Sequence, residues 1–141
     1  MRSSVPRAVL DTNVLVSALI SPSGRSARLL VELRSGAFEL VLSPLLLLEL
    51  REVLRRDKFR RYVSEAEADA YVELIRMEGI VRPDPASSLE PLSADPDDEY
   101  LVDLARVAAA DALVSGDAHV LDLHDRLPIL TPAQFLATLG E

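Results

Sequence analysis

Ala8-Val9-Leu10-Asp11-Thr12-Asn13-Val14 is an apolar run that stops abruptly on a carboxylate, carries two more polar residues and then turns apolar again. It reads as a buried strand with an acid at its end. In an open parallel α/β sheet, ligands collect just beyond the carboxyl ends of the strands, so an acid placed there is a candidate metal ligand or catalytic group. Taken alone, Asp11 is as readily a turn residue or a helix N-cap. Its weight comes from company: Glu49, Asp98 and Asp117 sit at comparable strand or helix edges further along the chain.

Outward from that run, strands and helices alternate, which favours a parallel α/β sheet. The first strand is Arg7 to Leu10. A loop at Ser21-Pro22-Ser23-Gly24 precedes a helix from Ser26 to Arg34, closed by Gly36. The second strand is Glu39 to Leu42, followed by Ser43 as N-cap and Pro44 as first helical residue of a helix running to Lys58. Ser64-Glu65-Ala66-Glu67 fits a capping box, opening a helix that ends near Gly79. Ile80 to Arg82 is a short third strand, Pro83 to Pro96 a surface loop, and Asp98 to Ala109 a helix. Ala112 to Val114 and Ile129-Leu130 complete the strands, and Thr131-Pro132-Ala133-Gln134 caps a last helix. No repeat or long linker divides the chain, so residues 1–141 read as one domain.

Each remaining acid has an ordinary reading beside the chemical one. Glu49 interrupts Leu45, Leu46, Leu47, Leu48 and Leu50; four consecutive leucines imply a helix covered on more than one side, where an acid is costly unless paired or bound to a metal. The ordinary alternative is a Glu at the edge of the apolar face with a basic partner one turn away. Neither Leu45 and Leu46 before it nor Glu52 and Val53 after it supplies one. Asp95-Pro96-Asp97-Asp98-Glu99 suits a helix N-terminus, where acids are favoured by the macrodipole. A cap needs one acid and this stretch has four, and Asp98 shares the inward face of Leu101 and Val102. Ser115-Gly116-Asp117 is an ordinary turn taken alone, but it too follows a strand. Hard oxygen donors of this kind suit Mg²⁺ or Mn²⁺. A site holding such an ion would activate water for in-line attack on a phosphodiester; without one, the acids would repel each other and phosphate.

Composition narrows the field. At 141 residues, 49% hydrophobic with 4% aromatics, the chain can bury an aliphatic core. It has no cysteine and only two histidines, His119 and His124, which removes disulfides and disfavours zinc. No targeting or spanning segment is evident, so a cytoplasmic protein is expected, with no membrane partner. Net charge is −8, but Arg51 to Arg61 carries six basic and two acidic residues. Arg51, Arg55 and Arg56 are therefore candidates for RNA phosphate contact, with a solvated helix face as the alternative. Gly-Lys-Ser/Thr and Gly-x-Gly are absent, against a P-loop or dinucleotide enzyme.

With these motifs in place, the chain resembles the PIN-domain ribonucleases over nearly its whole length. Asp11-Thr12-Asn13 after a strand, Glu49 on the helix after strand two, Asp95-Pro96-Asp97-Asp98-Glu99, and Val114-Ser115-Gly116-Asp117 match the family in type and order. The subgroup it most resembles is the VapC-like toxin component of toxin–antitoxin pairs. The resemblance implies a Rossmann-like α/β/α sandwich with a central parallel sheet. Asp11, Glu49, Asp98 and Asp117 carry over as catalytic, metal-binding acids, supported by Thr12, Asn13 and Ser115. It also implies Mg²⁺- or Mn²⁺-dependent cleavage of single-stranded RNA, a homodimer and a small antitoxin partner. One position departs: many relatives have another acid two residues after the one matching Asp117, where this chain has His119. That departure and the negative charge motivate an alternative, a catalytically weak or inactive PIN-fold module that binds protein. A phosphatase with Asp11 as nucleophile is disfavoured, because Asn13 stands where a second Asp is commonly needed.

Overall fold

The computed structural model describes residues 5–84, 99–116 and 128–140. Five parallel strands form one sheet: β1 (Arg7–Leu10), β2 (Glu39–Leu42), β3 (Ile80–Val81), β4 (Ala112–Val114) and β5 (Ile129–Leu130), in the order β3-β2-β1-β4-β5. The registers pair Ala8 with both Leu40 and Ala112, and Leu10 with Val114. Their side chains in the three central strands are almost wholly buried, as expected of parallel strands covered on both faces. The strand order reverses between β1 and β4, so the crevice at their carboxyl ends is the place such a sheet offers for a ligand.

The helices are α1 (Thr12–Ile20), α2 (Arg25–Arg34), α3 (Pro44–Leu54), α4 (Glu65–Glu78), α5 (Glu99–Val107) and α6 (Pro132–Thr138). α1, α2, α3, α4 and α6 pack as a chain of neighbours, while α5 lies over β1 and β4. Parallel crossovers are right-handed. The connections β1-β2-β3 and the return to β4 therefore put helices on opposite faces of the sheet, completing an α/β/α sandwich. Tyr71 of α4 donates its hydroxyl to the Leu15 carbonyl of α1 at 2.7 Å, and burial holds its phenol well above the ordinary pKa.

The expected strands stand within a residue of their places, as do the caps of Ser43, Ser64 and Thr131. Three features differ. α1 had no counterpart in the sequence reading: Thr12, Val14, Leu15, Val16 and Ala18 are buried around most of its circumference, leaving no amphipathic stripe to see. α3 ends at Leu54 rather than Lys58. Arg56 turns extended, a single 3₁₀ turn covers Asp57–Phe59, and the Arg60 guanidinium folds back onto the Leu54 carbonyl that the helix end leaves open. Finally, the leucine run of α3 is not covered all round. Leu46 and Leu50 are buried, whereas Leu45 and Leu48 are 41% and 48% exposed. Asp111 accepts from the Arg7 backbone N–H at 2.8 Å and so joins the starts of β1 and β4.

Candidate functional site

Asp11 leaves the end of β1 with its backbone N–H donating to the Val114 carbonyl of β4 at 3.0 Å, so the ladder carries it into the crevice. Its side chain is only 5% exposed. Oδ1 accepts the Val14 backbone N–H at 2.8 Å, making Asp11 the N-cap of α1. Oδ2 accepts the hydroxyl proton of Ser115, itself fully buried and held in line by its N–H on the Leu130 carbonyl of β5 at 2.9 Å. The cap and the buried acid at the ligand edge are thus the same residue.

Glu49 lies half-buried on the side of α3 that faces α5. Its Oε1 accepts the hydroxyl proton of Tyr100, from the first turn of α5. The partner absent from α3 is therefore neutral and comes from a distant helix. Burial, and next the hydrogen bond and charge of Glu49, hold the Tyr100 phenol far above its ordinary pKa; the charge of Asp84 pushes the same way. The Thr12 hydroxyl is near enough to oppose that shift, yet its buried Oγ1 makes no hydrogen bond of acceptable geometry among the described residues. Thr12 is next to Asp11 in the chain, so Tyr100 connects the Asp11 edge of the sheet with Glu49. Asp84, just past β3, accepts the Leu45 N–H at 3.0 Å and with Ser43 closes the N-terminus of α3.

The structure thus brings together Asp11, Thr12 and Ser115, and bonds Glu49 to Tyr100, whose hydroxyl lies near Thr12. Tyr100 and Asp84 were not singled out from the sequence: a Tyr before an apolar stripe looks like core, and Asp84 was one acid of a long acidic loop. Asn13 is exposed and lines a cavity of about 270 Å³ with Val14, Ser17, Ser26, Gly116 and Pro132. The expected ligands Asp98 and Asp117, and His119, lie outside the described residues. Arg55 makes two hydrogen bonds to Asp69 of α4, at 2.9 and 3.1 Å, and Arg51 lies 3.8 Å from the same carboxylate. Both therefore tie α3 to α4, and Arg56 is exposed.

The donors present fit a hard divalent cation. They are all oxygens, two are carboxylates, one of these is buried, and the orphaned Thr12 hydroxyl beside them is a polar atom that a bound ion or its water would satisfy. Among the described residues alone, no three acids or histidines come close enough to hold an ion; the expected set draws two of its four members from beyond them.

The PIN domain family model matches residues 7–119. No curated protein matches the chain. Among solved structures, PAE2754 from Pyrobaculum aerophilum superposes with a TM-score of 0.64 at 16% identity, covering 96% of this chain and 90% of its own. VapBC2 from Rickettsia felis, bound to a DNA fragment from their promoter, matches with a TM-score of 0.57 at 16% identity, over 88% of this chain and 96% of that one. At such identity these likenesses concern the fold.

Proposed function

The chain belongs to the PIN domain family, and from that premise we propose that it is a Mg²⁺- or Mn²⁺-dependent endoribonuclease, the toxin of a toxin–antitoxin pair. The observation that carries the reading is the buried Asp11 carboxylate at the β1/β4 switch point, hydrogen-bonded by Ser115 and capping α1. Asp11, Glu49, Asp98 and Asp117 would hold the cation. Bound there, it would supply a Lewis acid for the phosphodiester and the positive charge that lets several acids coexist with a phosphate.

This chain's own residues do the holding. Ser115 and the Val14 N–H fix the rotation of the Asp11 carboxylate, so it need not be reordered when the ion arrives. The near-total burial of Asp11 thins the water around it, which strengthens its attraction for a cation. Asn13, on the wall of the neighbouring cavity, would be a supporting polar residue near the site. Among the described residues no single helix is long and apolar enough to cross a membrane. A cytoplasmic enzyme, a homodimer and a small antitoxin belong to the same proposal; the last is supported by the fold-level likeness to a toxin–antitoxin complex.

The test is cleavage of single-stranded RNA with EDTA, Mg²⁺ or Mn²⁺. Wild type should cut only with metal, and Asp11→Asn should be at least about 100-fold slower while remaining folded, the scale expected when a positioned catalytic group is lost. Undiminished, metal-dependent cleavage by the variant would refute the assignment.

A further inference from the structure

Glu49, an expected metal ligand, carries on its carboxylate a hydrogen bond from a side chain of another helix that no sequence motif required. The terminal torsion of a glutamate is broad and roughly two-fold. On a half-exposed helix position, a lone Glu would sample many orientations. Here Tyr100 occupies Oε1, and among the described residues no hydrogen bond to Oε2 occurs. The hydroxyl of Tyr100 also lies near the buried Thr12 Oγ1, which follows Asp11 in the chain and makes no hydrogen bond among the described residues. The Asp84 side chain fixes the first turn of the helix on which Glu49 sits. Three elements, α1, α3 and α5, therefore meet at one phenol.

We propose that Tyr100 is a positioning residue for the cation: its hydroxyl, bonded to Glu49 Oε1 beside the unpartnered Thr12 hydroxyl, holds Glu49 in the pose that binds the ion. The inference rests on the reading of Glu49 as a metal ligand. Groups that orient a ligand from behind are worth roughly 10–100-fold in metal affinity. Tyr100→Phe keeps the ring and its packing on α5 and removes only the donor.

The experiment is titration of Mn²⁺ into RNA-free protein, with unbound Mn²⁺ counted by electron paramagnetic resonance, for wild type, Tyr100→Phe, Glu49→Gln and the double variant. Circular dichroism and metal-free thermal melts on all four show that each is folded. Tyr100→Phe should bind Mn²⁺ roughly 10–100-fold more weakly. Because it acts through Glu49, the double variant should bind no more weakly than Glu49→Gln alone; a merely structural role would give losses that multiply. Wild-type affinity in Tyr100→Phe, with Glu49→Gln impaired, overturns the role of Tyr100 and leaves the nuclease reading standing. Multiplying losses overturn it as well. Wild type that binds no Mn²⁺ overturns both.

Discussion

Replacing Asp11 by Ala and by Asn separates what this carboxylate does for the fold from what its charge does for chemistry. Ala removes two acceptors at once. Loss of an N-cap costs about 1 kcal/mol, and loss of the hydrogen bond that the fully buried Ser115 hydroxyl donates to Asp11 costs about 1–3 kcal/mol more. Some of this is returned, because a buried carboxylate is itself unfavourable in metal-free protein. A net loss of about 2 kcal/mol is expected. For a chain of this length about 1 kcal/mol moves the melting temperature by roughly 3 °C, so Asp11→Ala should melt roughly 6 °C lower. Asn keeps an oxygen for the Val14 N–H and an amide opposite Ser115, whose hydroxyl can rotate to accept. Its metal-free stability should stay within about 1 kcal/mol of wild type. Melts repeated with Mn²⁺ read the other half. An ion that binds only the folded state at 100 times its dissociation constant adds about 2.7 kcal/mol; wild type should gain this and Asp11→Asn should not. Asn melting as low as Ala without metal would show that the two hydrogen bonds do not hold the residue as described. An equal Mn²⁺ gain in wild type and Asn would show that the carboxylate is not a ligand.

Other expectations concern the frame around the site. A Cβ at Gly79 would come within 2.6 Å of Leu42 Cδ1 and 2.9 Å of the Leu40 carbonyl oxygen, where α4 closes onto β2; Gly79→Ala should cost about 1–3 kcal/mol, read from the urea midpoint at unchanged slope. Ala109 sits at φ 54°, in the left-handed region, so Ala109→Gly should raise stability by about 0.5–1 kcal/mol in the same assay. Asp69 is shared by Arg51 and Arg55 on the surface. Asp69→Ala should lower stability by under about 1 kcal/mol, and the difference should shrink further in high salt.

What was legible in the chain was whatever is written locally. β2 is an apolar run bounded by turn signals, and α4 and α6 open on capping boxes whose two members lie three residues apart, so both come out within a residue or two. α1 was hidden for the opposite reason. Its β-branched Val14, Val16 and Ile20 are weak helix formers, and burial on most sides erases the periodicity that identifies a surface helix. The premature end of α3 was hidden too. The cations after Leu54 look like a favourable last turn, but one of them, Arg60, reaches back to satisfy the carbonyl at which the helix stops. In each case the missing information is tertiary: which side chain returns from elsewhere to an element that could locally go either way.

Glu49 shows how far this extends to the candidate site. The lack of a basic residue one helical turn away was a sound reason to suspect an acid with other business. The inference that four leucines enclose it was not, since Leu45 and Leu48 face outward and Glu49 is half-buried at the boundary. What Glu49 meets is α5, which packs on β1 and β4 and presents Tyr100 at its first turn. The acid therefore has a neutral donor rather than an arginine as its described partner, the arrangement that the proposed cation needs and an ion pair would spoil. Had Glu49 been paired with Arg51 or Arg55, those two would have been lost to Asp69 and α4 would have lost its tie to α3. The division of partners, arginines to Asp69 on one side of α3 and a tyrosine to Glu49 on the other, is the one the proposed cation site would require.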